Sequence, residues 1–366
     1  MKVNRAIISG GGTGGHIFPA IAIANEIKRR NPDAEILFVG ALGKMEMEKV
    51  PQAGYKIIGL PIAGFQRRFT LSNFMLPYKI IQSLSLAGKV IRDFKPDVVI
   101  GVGGYASGPT LRSAISKRIP TLIQEQNSFP GKTNKILAPK VNRICTAYEG
   151  LEKFFPKDKI VVTGNPVRSE MVDLEGKRGE AMSFFNLDPN KKTALIVGGS
   201  LGARTLNESV TGQLELIRNS GFQVLWQCGK FYYPELKFND ALNQTLNVHL
   251  HEFIQRMDLA YAVADVIISR AGAIAVSELC LVKKPAILVP SPNVAEDHQT
   301  KNAMALVNKK AAILVKDADA RKELIPVAAE LLNNAEQQHE LSQNIQPLGR
   351  SHATEDIVNE IEKIIK

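Results

Sequence analysis

The sequence predicts an α/β fold built from two doubly wound parallel-sheet domains, and three observations predict it. Short β-branched runs alternate with amphipathic helical stretches from end to end, the pattern of parallel strands joined by crossover helices. Two series of such units begin alike. Ala6-Ile7-Ile8-Ser9 runs into Gly10-Gly11-Gly12-Thr13-Gly14-Gly15, and Ala194-Leu195-Ile196-Val197 runs into Gly198-Gly199-Ser200-Leu201-Gly202, each a strand, a glycine turn and a helix start. The third observation is size: 366 residues, 45% of them apolar, suit two domains of roughly 150 residues that each bury a core.

In chain order, the apolar runs place strands of the first series near residues 5–9, 35–40, 97–102, 121–124, 143–146 and 159–163. The second series falls near 193–198, 223–227, 247–251, 266–269, 286–289 and 312–315. Each run is short and carries β-branched residues, as a buried parallel strand does. Gly164-Asn165-Pro166-Val167-Arg168 reads as a hinge, because proline continues neither element type and Gly-Asn tolerates unusual backbone angles. At the far end Ile357, Ile361, Ile364 and Ile365 recur at helical spacing, so a terminal helix must find a core to pack on, with the first domain a candidate. The expected division is therefore 1–164, 165–345 and a terminal helix in 346–366. Both series read as Rossmann-like.

Charge is uneven. Residues 1–165 carry 24 Lys and Arg against 11 Asp and Glu, whereas residues 166–366 carry 22 against 25, so the formal +10 lies entirely in the first half. Such asymmetry fits nucleic acid, an anionic membrane surface or a polyphosphate ligand. No helix-turn-helix pattern or aromatic-rich RNA module accompanies it, which disfavours nucleic acid. The apolar run after Arg5 stops at glycines within a few residues, and no stretch approaches a membrane span, so the expectation is a cytoplasmic protein without a signal peptide. Cys145, Cys228 and Cys280 are far apart and form no CxxC pair, consistent with buried thiols.

Gly10, Gly12 and Gly15 satisfy GxGxxG between a strand and a helix, where glycines let backbone approach a phosphate and leave helix N–H groups to bind it. A dinucleotide site would also need an acid after the second strand; Phe38-Val39-Gly40-Ala41-Leu42 has none, which weighs against NAD and a nicotinamide-dependent oxidoreductase. His16 follows the loop at the helix start, where the macrodipole disfavours the imidazolium, so it is open to two roles: holding the loop, or accepting a proton near neutral pH. A second glycine loop, residues 101–109 (GVGGYASGP), again joins strand to helix, and Gly103, Gly104 and Tyr105 with Gly12 are candidate diphosphate-loop residues. Glu125-Gln126-Asn127 projects from the same strand edge, as ligand groups or as a helix cap. In the second half, Arg270-Ala271-Gly272-Ala273-Ile274 opens a helix carrying Glu278, a carboxylate placed to accept ribose hydroxyls or simply to face solvent. Residues 296–302 (EDHQTKN) form a polar cluster suited to a polyol.

Taken together and in order, residues 10–19 (GGGTGGHIFP), 101–109 (GVGGYASGP), 125–127, 164–168 (GNPVR), 198–204 (GGSLGAR), 270–278 and 296–302 resemble the MurG family of peptidoglycan N-acetylglucosaminyltransferases, from about residue 3 to the C-terminus. The resemblance implies a GT-B fold, two Rossmann-like domains facing a cleft, and an inverting transfer of GlcNAc from UDP-GlcNAc to lipid I, a polyprenyl diphosphate acceptor, giving lipid II. Donor contacts would fall on Thr13, Gly14, Gly15, Asn127, Arg168, Ser200, Ile254, Ala273, Ile274, Glu278 and Gln299. His16 is the first candidate base and Glu125 the second. No cofactor and no metal are implied; the single Asp-x-Asp, Asp317-Ala318-Asp319, reads as a solvated N-cap. A lipid acceptor would place the enzyme peripherally on the anionic cytoplasmic face of the inner membrane. Phe65, Phe69, Phe74 and Leu76 interleaved with Arg67 and Arg68 are the candidate membrane patch, the alternative being an inter-helix core. Two other functions share the donor motifs: an epimerase of UDP-GlcNAc on the same fold, and a UDP-GlcNAc-binding protein without turnover.

Overall fold

The computed structural model describes residues 2–62, 76–167 and 169–365. The chain forms two units, Met1–Val167 with His352–Lys366, and Arg168–Ser351. The candidate patch residues Phe65, Arg67, Arg68, Phe69 and Phe74, and Arg168, lie outside the described residues. Leu76 opens a helix, with its side chain outside the description.

In the first unit, β1 (Arg5–Ser9), β2 (Glu35–Ala41), β3 (Lys56–Leu60), β4 (Val98–Gly101), β5 (Thr121–Glu125), β6 (Arg143–Thr146) and β7 (Ile160–Val162) form one parallel sheet in the order β3-β2-β1-β4-β5-β6-β7. Both faces are covered, so the central strands are continuous apolar runs and do not alternate. Ile8 and Ile100 pack on one face with Ile23 and Ile27 of the helix Gly14–Arg30. Ile7, Val99 and Ile123 pack on the other with Ile91 and Leu111, from the helices Leu76–Phe94 and Ser107–Ser116. β3 is absent from the expected strands. Its sequence, Lys-Ile-Ile-Gly-Leu, lies at a sheet edge with Ile57 and Ile58 only half-buried, and a glycine interrupts it. The Leu42 side chain lies over that glycine, where a Cβ would displace its terminal methyl.

The helix Ala353–Ile364 completes this unit. Ile357, Val358 and Ile361 are fully buried in the same cluster as Ile8 and Ile23, and Arg30 donates to Asn359 and to the carbonyl of Glu355. The boundary falls after Val167, not at residue 164, because Asn165 is built into the first unit. It is buried, accepts from Gln124 Nε2 at 2.9 Å and donates to the Gln126 carbonyl at 3.0 Å. The other boundary comes at residue 351, because Gly349 is seated against the Cys280 carbonyl of the second unit.

The second unit repeats the topology. β8 (Thr193–Val197), β9 (Gln223–Gln227), β10 (Val248–His251), β11 (Val266–Ser269), β12 (Ala286–Leu288) and β13 (Ile313–Leu314) are parallel in the order β10-β9-β8-β11-β12-β13. Its core centres on Trp226, whose indole N–H donates to Asn207 Oδ1 at 3.1 Å, so the largest buried side chain leaves no orphaned donor. The three cysteines are free and buried, and burial pushes the Cys228 thiol up to about 11 and that of Cys280 up to about 12. Among the described residues no helix is long and apolar enough to cross a membrane.

In both sheets the strand order reverses beside the first strand, between β1 and β4 and between β8 and β11. The loops leaving the carboxyl ends of those pairs diverge there and open a ligand crevice. Each glycine motif leaves one of these strands.

Candidate functional site

At the β1–β4 switch point the two glycine loops interlock. Gly11 N–H donates to the Gly103 carbonyl at 3.3 Å, and a Cβ on Gly104 (φ +87°) would lie 2.4 Å from the Gly11 carbonyl oxygen. The helix Gly14–Arg30 starts immediately after Thr13, whose extended backbone serves as N-cap with no side-chain cap. Gly14 and Gly15 therefore contribute first-turn N–H groups, which an α-helix cannot satisfy internally. Gly12 and Thr13 are exposed beside them, and Tyr105 is half-exposed across the loop pair.

His16 lies on this loop pair. Its Nδ1 is 2.9 Å from the Gly11 carbonyl, and a proton on Nδ1 donated there leaves the basic lone pair on Nε2. Gly103 makes room for the ring: a Cβ at that position would lie 2.9 Å from Nε2, at a φ of +96° that L side chains rarely adopt. Were His16 to act as the proton acceptor, Gly103→Ala would lower turnover at least about tenfold by displacing its ring, since small misplacements of a reacting group are costly. Steady-state kinetics beside a thermal melt would check it; a normal rate would show that the ring position is immaterial.

Glu46 was invisible in the sequence. It opens the short helix Glu46–Gln52, is buried, and its carboxylate accepts from Gly12 N–H at 2.8 Å and Ala41 N–H at 3.0 Å. Gly11 and Gly40 both exist to admit it, because a Cβ on either would overlap the Glu46 side chain. The motif Gly43-Lys44-Met45-Glu46 gives no chemical hint of this role, since the partners lie on the first glycine loop and at the end of β2. Glu46→Ala should destabilise the fold by about 1–3 kcal/mol through the orphaned amides. A calorimetric melt of the variant beside the wild type would measure the loss.

Glu125 ends β5 fully buried. Oε1 accepts from Asn127 N–H at 3.0 Å and Asn127 Nδ2 at 3.2 Å, while Oε2 accepts from Gly131 N–H at 3.2 Å and Asn134 Nδ2 at 2.8 Å. Four donors thus surround a carboxylate shaped for holding the loop that carries Asn127. Gln126 joins this loop to the second glycine loop by donating to the Val102 carbonyl at 2.8 Å.

At the β8–β11 switch point, Ser200 is exposed in a turn between Gly199 (φ +87°) and Gly202 (φ +91°), and its carbonyl accepts from Lys230 N–H at 3.0 Å. The helix Ala273–Val282 begins at the Gly272 N-cap, presenting Ala273 and Ile274 in its first turn. Asn302, fully buried, donates to the Ala271 carbonyl at 3.3 Å and fixes the turn before it. Glu278 accepts from Tyr261 Oη at 2.9 Å. Ile254 is buried and its N–H donates to Gln227 Oε1 at 2.8 Å. Gln299, in the first turn of the helix His298–Val307, accepts from Ser291 N–H at 2.8 Å, and two successive left-handed residues, Glu296 (φ +54°) and Asp297 (φ +52°), turn the chain into that helix.

Asp317 is not a solvated cap: it takes an ion pair from Arg270 and accepts from Thr205 Oγ1 at 3.0 Å, tying the end of β11 to the segment after β13. Asp319 precedes the helix Ala320–Asn333 without capping it through its side chain.

Comparison with known proteins matches residues 6–146 to the glycosyltransferase family 28 N-terminal domain and residues 193–361 to the glycosyltransferase family 28 C-terminal domain. The UDP-N-acetylglucosamine–N-acetylmuramyl-(pentapeptide) pyrophosphoryl-undecaprenol N-acetylglucosamine transferase of Parabacteroides distasonis is 57% identical over 365 residues, covering 100% of this chain and 99% of the relative. The chain belongs to the MurG family. The crystal structure of Acinetobacter baumannii MurG is similar with a TM-score of 0.80 at 28% identity, covering 98% of this chain and 99% of that one. Its agreement extends the MurG family assignment to the fold, two Rossmann-like units of the GT-B kind. The UDP-GlcNAc 2-epimerase of Neisseria meningitidis, with a TM-score of 0.65 at 18% identity and 98% and 99% coverage, shares the fold alone.

Proposed function

We infer that this enzyme transfers GlcNAc from UDP-GlcNAc to the muramyl 4-hydroxyl of undecaprenyl-diphospho-MurNAc-pentapeptide, lipid I, forming lipid II for peptidoglycan synthesis. The observation that carries the reading is the 57% identity, over the whole length, to a transferase of that name. The reaction inverts the anomeric carbon. His16 Nε2 takes the proton of the acceptor 4-hydroxyl; its oxygen bonds to C1 of GlcNAc from the face opposite UDP; the C1–O bond breaks and UDP leaves with the electron pair. The Nδ1 contact with the Gly11 carbonyl supports this role by orienting the ring.

The leaving diphosphate is stabilised by the helix start at Ala273 and by Ser200, with Arg168 as a further donor, so no metal step is needed. Glu278 holds the ribose hydroxyls and Gln299 the sugar. The Ile254 carbonyl meets the uracil edge, its amide being engaged by Gln227. Thr13, Gly14, Gly15 and Asn127 complete the donor contacts. Gly103, Gly104 and Tyr105 receive the acceptor diphosphate, whereas Gly12, expected among them, has its one donor, the amide N–H, engaged by the Glu46 carboxylate; Glu125 positions Asn127. Incubating the enzyme with UDP-GlcNAc alone tests the reading against its rival on the same fold: a transferase leaves the donor as the GlcNAc epimer, whereas an epimerase produces UDP-ManNAc.

The acceptor's lipid places the enzyme peripherally on the anionic cytoplasmic membrane face. The positive first half and the exposed Tyr78, Ile80 and Ile81 on the helix Leu76–Phe94, adjoining the Phe65–Leu76 patch in sequence, support this. Phe69→Ser with Phe74→Ser should reduce flotation with anionic liposomes several-fold, and Ile81→Ser should reduce it further. Unchanged flotation would remove the patch from the proposal.

A further inference from the structure

Tyr261 has no place in the chemistry described above, yet it is almost fully buried and directs its one polar atom at Glu278. It lies on the helix Met257–Val263, 4% exposed, and its Oη is 2.9 Å from Glu278 Oε2 on the helix Ala273–Val282. A buried hydroxyl that bonds a carboxylate fixes which rotamer the carboxylate adopts, because any other rotamer abandons a charge-assisted bond and leaves the phenol unpaired. We propose that Tyr261 is a positioning residue for donor binding, holding the Glu278 carboxylate in the orientation that receives the ribose hydroxyls of a uridine nucleotide.

Three features support this role. Burial and the neighbouring Glu278 charge push the Tyr261 phenol well above its ordinary value, so the hydroxyl remains a donor throughout the working range. The helix that carries it is itself anchored: Asp258 accepts from Arg256 at 2.9 and 2.8 Å and from Lys177 at 3.3 Å. Arg256 holds the Asp258 carboxyl well below the usual range, which keeps this anchor charged. The helix also begins three residues after Ile254, so one short segment supplies both the group assigned to the base and the group that orients the ribose acid. Nucleoside recognition is thereby preorganised from the interior of the unit, where a flexible surface glutamate would lose rotamer entropy on binding.

The inference rests on Glu278 being the ribose acid, and the test separates the two. Binding of UDP and of 2′,3′-dideoxy-UDP to the full-length enzyme is measured calorimetrically for the wild type, Tyr261→Phe, Glu278→Ala and the double variant. Tyr261→Phe should weaken UDP about 5- to 20-fold and dideoxy-UDP less than about twofold, with the kinetic loss appearing in the donor KM more than in kcat. Glu278→Ala should erase the preference for UDP, and Tyr261→Phe should then add nothing. If Glu278→Ala erases the preference and Tyr261→Phe keeps it, the positioning role is overturned while the ribose assignment stands. If Tyr261→Phe weakens both nucleotides equally, Tyr261 is structural only and the proposal is again overturned. If Glu278→Ala leaves the preference intact, the ribose assignment fails and takes the proposal with it.

Discussion

His16→Ala should lower kcat by about 100- to 10,000-fold, the usual contribution of a positioned general base, while the Kd for UDP-GlcNAc stays within about threefold. The asymmetry follows from what the ring touches. Its Nδ1 faces the Gly11 carbonyl and its Nε2 edge lies beside Gly103, so the imidazole is held between the first glycine loop and the second, whose Gly103 and Gly104 are assigned to the acceptor. Removing it deletes a proton acceptor and leaves the helix start at Gly14 and Gly15 in place. Steady-state rates beside calorimetric donor binding distinguish the outcomes. Comparable losses of affinity and rate would make His16 a phosphate-loop ligand.

Glu125→Ala should act on stability first. Its carboxylate gathers two backbone amides and the side chains of Asn127 and Asn134, and deleting it strands donors in a buried site at about 2–4 kcal/mol. For a unit of this size, that is a fall of roughly 5–15 °C in melting temperature. Glu125→Gln should give an intermediate loss, because an amide nitrogen would oppose Gly131 N–H or Asn134 Nδ2. In both variants the rate should follow the amount of folded enzyme. A Glu125→Gln enzyme that melts normally and yet does not turn over would instead identify Glu125 as the base.

The fold was legible because its signals are local. A buried parallel strand ending in glycine, as at Ile8–Gly10 or Val197–Gly199, combines the residues a covered sheet needs with the turn a helix start needs. β3 escaped because an edge strand with half-buried isoleucines and an internal glycine lacks that contrast. The glycine loops, His16 and the helix start at Ala273 were likewise readable from spacing. Glu46, Tyr261 and the Gly131 and Asn134 partners of Glu125 were not, since each acts through atoms 5 to 34 residues away in sequence that only tertiary packing brings within hydrogen-bond distance. Asp317 shows the same limit from the other side. Its local sequence suits a helix start, and the deciding partner, Arg270, lies 47 residues earlier.

Transfer of radiolabelled GlcNAc from UDP-GlcNAc to a short-chain lipid I analogue, with EDTA present, tests the central claim most directly. Label should enter the lipid product as a β-linked disaccharide at a rate that EDTA does not change. Tight UDP-GlcNAc binding with no label in the lipid fraction would contradict the acceptor assignment, and a rate abolished by EDTA and restored by a divalent cation would contradict the backbone and side-chain stabilisation of the leaving diphosphate.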